Sequence, residues 1–521
     1  MALTKSHNRM IADAPVNVKD FGAMADGVTN DSTAFDAAIA YAWDTGNSLY
    51  IPSGNYVAKM TVPPVGTGEY RGDTFIMYGD GAGNGFLGEP FITGTRITSP
   101  DSSPALTYDN TLGASVSAGN HIYIRNIRFN GNSANPVLLL DRFSDYSVIS
   151  ECEVRQFGTG DGIQIEHGYG GTIRDCHVMN SNLVDPHGTS RTGTGISVSI
   201  LSALSGGILR FQHITSRGFA NGFAIGGAGS PPAPSILSTV LEQCECSTVN
   251  YGILVGSGTR KTVINNCYFE GVEDTCVQDN SNSTTVSNSF FIGTATECFR
   301  VGIESISSTW GNLYFGNEMQ LSQSDVIGIA LFTDGDANGH SKIVRDNFIY
   351  NNSGSASNVI GVSLSGANPT AIVADNVFRP RRLWTGSGAV KIYDTTTGIN
   401  TGVVPLTDSL NEFPFYSNAG ISLGYGGNIT ETAVTTGVLN LGAASFVDFN
   451  PTTATNVTQL LINGKSGRII LVSCNANATL ADGTYMILAG GVDFTGNGQI
   501  LLNVRLDGGQ WHAYEISRTV Y

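Results

Sequence analysis

Three glutamates raise the first chemical question. Glu242 and Glu245 stand three residues apart in LEQCEC (241–246), and Glu270 opens the acidic run EGVED (270–274) on the next segment. Two carboxylates on one face can share the cleavage of a glycosidic bond: one donates a proton to the leaving oxygen while the other activates water. A separation of roughly 6.5–9.5 Å leads to inversion and one of about 5–5.5 Å to retention. Arg174 and Arg210 are suited to anionic groups of a substrate, and His177 and His213 supply imidazole. The same four residues would serve β-elimination on a uronic acid, in which a base removes a proton beside a neutralised carboxylate. Trp310, Tyr268 and Tyr314 offer flat apolar faces with polar rims.

A second group surrounds GIQI (162–165): Asp161, Glu166 and His167, with Asp185, His187 and Arg191 in the insertion NLVDPHGTSRT (182–192). The proline-rich GAGSPPAPSIL (227–237) is a further candidate wall. Each of these residues has a structural alternative, as part of a salt-bridged ladder, a core aromatic, a subunit contact or a solvated loop.

The glutamates can act together only if the chain stacks them, and a repeat does this. Nine hexamers align: IRNIRF (124–129), ISECEV (149–154), IRDCHV (173–178), LRFQHI (209–214), LEQCEC (241–246), INNCYF (264–269), VSNSFF (286–291), VRDNFI (344–349) and VADNVF (373–378). Their base period is about 22–29 residues, lengthened by insertions, and the gap before 344 holds two turns. Plain strand alternation cannot bring positions 1 and 6 to one face. A bend at positions 3–4 can, and Asn126, Asp175, Asn266, Asn288, Asp346 and Asp375 at position 3 tolerate left-handed backbone. Further strands (GIQI, GISV, GFAI, GILV, IGVSL) lie between hexamers. Three short strands per turn describe a right-handed, single-stranded parallel β-helix with rungs about 4.8 Å apart. In this register Arg174, Arg210 and Glu242 become neighbours, and so do Glu153, His177, His213 and Glu245. Cys152, Cys176, Cys244 and Cys267 all fall at position 4, a column of small apolar groups.

Residues 1–16 read as an N-terminal arm. Segment 17–120 holds a cap helix and the first rungs, with Ser32 or Asp31 as N-cap and a Phe35, Ala38, Ile39, Ala42 stripe. Segment 121–380 is the central β-helix and 381–429 a connector. Segment 430–521 alternates in strands separated by turns and reads as an antiparallel β-sandwich for trimerisation or carbohydrate binding.

Composition agrees with a solenoid. Among 521 residues 65 are glycine and only 13% are charged, with 41% apolar. The net charge of −16 argues against a nucleic-acid groove and against an anionic membrane surface. No apolar run is long enough to span a bilayer, and the first residues lack the apolar core of a secretory signal, so synthesis and folding in a cytoplasm are expected. Neither the cysteine spacing nor GDGAGNGF (79–86) fits a zinc site or a phosphate loop, and no cofactor or metal is expected.

The segments VKDFGAMADGVTNDSTAFDAAIAYA and LYIPSGNY resemble the opening of the pectate-lyase-like superfamily as found in phage tailspikes. That resemblance implies a homotrimer on the virion tail with a glycan-binding face along the helix. The implied partner is a bacterial surface polysaccharide, namely capsule, exopolysaccharide or O-antigen. It also implies endo-acting depolymerase activity and an N-terminal arm that docks to the phage tail or to another tail protein. Hydrolysis by paired carboxylates is the expected reaction. Polysaccharide lyase activity, non-catalytic receptor binding and a secreted pectin lyase are the alternatives.

Overall fold

A computed structural model describes residues 14–62, 74–82, 94–109, 121–166, 170–181, 191–199, 208–226, most of 238–394, 425–429 and most of 434–520. The chain divides into two compact units, 1–411 and 412–521.

In the first unit every turn returns the chain to strands that pair in parallel with the turns below and above. The result is a right-handed parallel β-helix. Its first rung is covered by helix α1 (Ser32–Thr45), whose Phe35, Ala38, Ile39 and Ala42 are buried as the stripe predicts. Neither expected N-cap side chain bonds to the helix. The carboxylate of Asp31 is instead buried and accepts the Met24 and Ala25 N–H groups (2.7 and 3.2 Å), and Ser32 Oγ accepts from Lys59 N–H. The two side chains tie the entering loop and the next strand to the helix.

The hexamers bend where expected. Asn126, Glu151, Asp175, Gln243, Asn266, Asn288 and Asp346 all have φ between 51° and 60°, and Gly316 (φ 65°) supplies the bend of the less regular turn. Asp375 lies outside the described residues. One rung differs from the expected alignment. Phe211, not Leu209, pairs with Ile173, and His213 (φ 51°) occupies the bend opposite Asp175. The hexamer is therefore FQHITS (211–216). Its last residue, Ser216, is polar yet fully buried, and its hydroxyl donates to the Gly222 carbonyl at 3.0 Å. A rule that seeks an apolar residue at position 6 therefore slips two places, to Ile214.

Position 4 points inward throughout. Cys152, Cys176, Cys244 and Cys267 are buried free thiols. Higher up the column changes to Asn317, Asn347 and Asn376, all buried. Asn317 Nδ2 donates to Asn347 Oδ1 (2.9 Å) and Asn347 Nδ2 to Asn376 Oδ1 (2.8 Å). Glycines open the strands that follow. A β-carbon at Gly222 would stand 2.6 Å from the Gly252 carbonyl, and one at Gly252 would stand 2.3 Å from the Cys276 carbonyl.

The second unit corrects the expected antiparallel sandwich. Val438 pairs with Gln459, Phe446 with Leu471 and Thr455 with Ala478, all in parallel, at spacings of 21 to 25 residues. Antiparallel pairs stand beside them: Val434–Thr435 with Val438–Asn440, Ala478–Leu480 with Phe494–Thr495, and Gly498–Asp507 with both Arg468–Cys474 and Gln510–Val520, so the unit is mixed. Alternating hydropathy reveals a half-buried strand but not its direction. Leu439, Phe449, Val457, Ile470 and Ile500 form the buried core of this unit.

Two stability effects follow from this packing. Gly222→Ala should lower the thermal midpoint by several degrees, because backbone rather than a flexible side chain must yield. Glu153 is buried and accepts bonds from both Arg128 and Arg155. Glu153→Ala removes a buried charged acceptor from Arg128 and Arg155 together and should cost about 1.5–3 kcal/mol in denaturant unfolding, whereas Arg155→Ala should cost less.

Candidate functional site

The bend divides the candidate residues between two sheets. On the strands before it, outward side chains stack as Ser150, Arg174, Gln212, Glu242 and Asn265. On the strands after it the column is Glu153, His177, Thr215, Glu245, Tyr268, Phe290, Glu318 and Phe348. The expected neighbours Arg174 and Arg210 are not stacked. Arg210 pairs with Thr172 below and Val240 above, and Gln212 sits over Arg174. His213 likewise leaves the column of Glu153, His177 and Glu245, where Thr215 takes its place. Both corrections follow from the two-residue shift at Phe211.

At the bend, His213 is held from both sides. Its Nδ1 lies 3.1 Å from Asp175 Oδ1 and its Nε2 lies 2.5 Å from Gln243 Oε1. Arg174 Nη1 approaches the same aspartate at 3.9 Å. An exposed imidazole oriented by a carboxylate can accept or deliver a proton, and Arg174 places a cation beside it. Glu242 accepts from Gln212 Nε2 at 3.1 Å.

After the bend, Glu245 receives Thr215 Oγ1 at 3.5 Å, and the exposed Glu270 accepts the Tyr268 hydroxyl at 3.2 Å. Tyr268 is the rung partner of Glu245, and Glu270 lies two residues further along the same strand. The two glutamates thus stand diagonally across adjacent rungs. Burial raises the Tyr268 phenol, and the Glu270 carboxylate adds to the shift, so the ring stays neutral and donating. Above it, Phe290, Ile292, Phe348 and Tyr350 also face outward and are half-buried. Burial and the charge of Glu318 push the Tyr350 phenol up to about 12. The hexamer VSNSFF places Phe290 on this face. The hexamer VRDNFI places Phe348 there in the same way, and Tyr350 follows two residues further along that strand.

The remaining candidates are placed as follows. Tyr314 is fully buried and donates to Asp279 Oδ2 (2.7 Å), so it offers no platform. Asp161 accepts Thr194 N–H (2.7 Å) and Ser197 Oγ (2.6 Å), which fastens one turn to the next. Glu166 accepts Gln164 Nε2. Arg191 is buried against Glu273 (2.9 Å) and Asn250 (3.0 Å). Asp274, beside Glu273, binds the Tyr251 hydroxyl (2.8 Å) and Arg300 Nε (2.8 Å). Trp310, His167, Asp185, His187 and the segment 227–237 lie outside the described residues. Among the described residues no group of three or more His, Cys, Asp or Glu side chains is arranged to hold a metal ion.

A family model described as Rhamnogalacturonase A/epimerase, pectate lyase-like, matches residues 15–227. Mannuronan C5-epimerase AlgE6 of Azotobacter vinelandii is 31% identical over 183 residues, 32% of this chain and 18% of its own length. Mannuronan C5-epimerase AlgE1 of the same organism is 38% identical over 91 residues, 17% of this chain and 6% of its own length. The chain thus spans less than a fifth of these curated relatives. Among solved structures, the AlgE6 A-module shares 17% identity at a TM-score of 0.44, covering 73% of this chain and 98% of that one. The Dettilon tailspike protein shares 14% at 0.39, covering 73% and 68%. Helix α1, the first stacked turns, Arg174 and the bend residue His213 all fall inside residues 15–227, the segment that this family model matches.

Proposed function

We propose that the protein is a phage tailspike depolymerase that binds a bacterial surface polysaccharide and cuts it within the chain by glycoside hydrolysis. The observation that carries this reading is the diagonal pair Glu245 and Glu270 on one outward face, with the Tyr268 ring between them. One glutamate protonates the leaving oxygen and the other activates water. Glu242 lies across the bend and is assigned a supporting place at the edge of the site, with Arg174 and His177 binding substrate. Trp310 and Arg210 are retained as substrate-binding candidates. The matching family model, Rhamnogalacturonase A/epimerase, and the mannuronan C5-epimerase relatives are polysaccharide enzymes by name, which supports the substrate class. The homotrimer, and attachment to the tail through residues 1–16, belong to the same reading.

A second reading rests on the Asp175–His213–Gln243 relay beside Arg174. There His213 Nε2, released from Gln243, removes the C5 proton of a uronic acid whose carboxylate Arg174 neutralises, the C4–O glycosidic bond breaks to leave a 4,5-unsaturated sugar, and the departing oxygen takes up a proton.

Mass spectrometry of fragments released from purified capsule or O-antigen separates the two. Hydrolysis gives fragments one water heavier than the eliminated products. Glu245→Gln and Glu270→Gln should each lower turnover by about 100-fold or more, with the thermal midpoint little changed. His213→Ala should leave most of the activity. Full activity in both glutamine variants would refute this site, and loss confined to His213→Ala with an unsaturated product would establish the second reading in its place.

A further inference from the structure

The outward face after the bend extends beyond the carboxylate pair. From the rung of Thr215 to that of Phe348 its first column runs Thr215, Glu245, Tyr268, Phe290, Glu318, Phe348 in continuous parallel register. The parallel column two residues along carries Arg217, Glu270 and Tyr350 among its members. Rings recur from rung to rung and within one rung. The centroids of Tyr268 and Phe290 lie 5.9 Å apart and those of Phe348 and Tyr350 5.2 Å apart. Phenylalanine on an outward strand position gains nothing from water, so its repetition here calls for an apolar partner with polar edges.

The charges choose among such partners. Glu245, Glu270 and Glu318 face outward on these rungs, against the single arginine Arg217 at the lower end. A uronic-acid polymer laid across this face would bring like charges together at rung spacing, in a partly desolvated setting where repulsion is strong. A sugar ring without charge presents a flat C–H face to the aromatics and hydroxyls to the glutamates.

We infer that this face is a glycan track, parallel to the helix axis, that takes a polysaccharide of uncharged or amino-bearing sugars and rejects uronic-acid polymers. The inference rests on the depolymerase reading for its partner class. It adds the charge class of the substrate and assigns binding roles to Phe290, Phe348 and Tyr350. It also sets this face apart from the bend, where Arg174 would favour an anionic sugar.

The test uses the full chain on an array of purified bacterial surface polysaccharides grouped as uncharged, amino-bearing and uronic, with affinities for the bound members measured by biolayer interferometry. Binding should fall in the first two groups. Phe290→Ser and Phe348→Ser should each weaken it by roughly tenfold, with unchanged circular dichroism and unchanged mass by light scattering. Binding confined to uronic polymers, or serine variants that bind as the parent does, would overturn the track. A drop in mass would overturn it too, by giving the face to a second copy of the chain. Binding that both serine variants weaken, without fragments from any polymer, would sustain the track and sink the hydrolase. Fragments whose yield ignores both serine variants would do the reverse, and no binding to any member would remove both.

Discussion

The left-handed bend at the third position of each hexamer is the constraint on which the rest of the solenoid depends. Outside glycine, asparagine and aspartate, a residue in this conformation costs roughly 1–2 kcal/mol. The chain nevertheless adopts it at Glu151, His213 and Gln243 as well as at Asn126, Asp175, Asn266, Asn288 and Asp346. What offsets the cost is register. Each bend turns positions 1, 4 and 6 inward together, so apolar side chains of successive turns meet face to face. Phe269 and Phe291, for example, stack with centroids 4.7 Å apart and planes 11° from parallel. A turn that lost its bend would expose one inward side chain and bury one outward charge, so the repeat tolerates unsuitable residue types before it tolerates a different geometry.

The interior accepts polar groups on the same terms. Asp279 is fully buried, yet its carboxylate accepts from Ser281 N–H and Oγ, Thr284 Oγ1, Asn312 Nδ2 and the Tyr314 hydroxyl, at 2.7 to 3.0 Å. Lys342, also buried, donates to Ser305 Oγ at 2.7 Å. Burial draws its amine down to about 8, and the charge of Asp279 opposes that shift. A buried charge is tolerable when its hydrogen bonds are complete. The column that begins with thiols and ends with asparagines follows the same logic. Cysteine fills the space as a small apolar group, whereas each asparagine must bond to the next turn, and stacking supplies that partner.

This distinction explains what could be read from the chain. The helix stripe, the bends at Asn and Asp, and the thiol column were legible because each rests on one property of one residue type repeated at one position. Ser216 was not, because a hydroxyl satisfied by the Gly222 carbonyl looks like a surface residue in the sequence. Tyr314 was misread as a platform for the same reason: its partner Asp279 is 35 residues away, and only the stacked turns bring them together. The direction of the strands after 434 was hidden because parallel and antiparallel strands alternate alike, and the 21–25 residue spacing that marks the parallel pairs there lacks the hexamer that announces it earlier. Of the candidate site, the outward placement of Glu242, Glu245 and Glu270 was legible, but their companions were not.

Those companions decide the chemistry. In a solenoid, a side chain's neighbours are set by vertical register, so a slip of two residues in one turn changes every contact above and below it. With Leu209 in the first position, Arg174 would lie beneath Arg210, two cations stacked one rung apart with no relief. With Phe211 there, the amide of Gln212 separates Arg174 from Glu242, and Arg210 moves two places along to stand between Thr172 and Val240. The same shift lifts His213 out of the strand column and into the bend, where Asp175 and Gln243 close on its two nitrogens. It leaves the small Thr215 on the rung below Glu245, on the side away from the ring of Tyr268. One buried serine thus moves the imidazole onto the bend, next to the strand that carries Arg174, and leaves Glu245 and Glu270 with their aromatics on the sheet beyond it. The two proposed chemistries occupy two different faces because of that sorting.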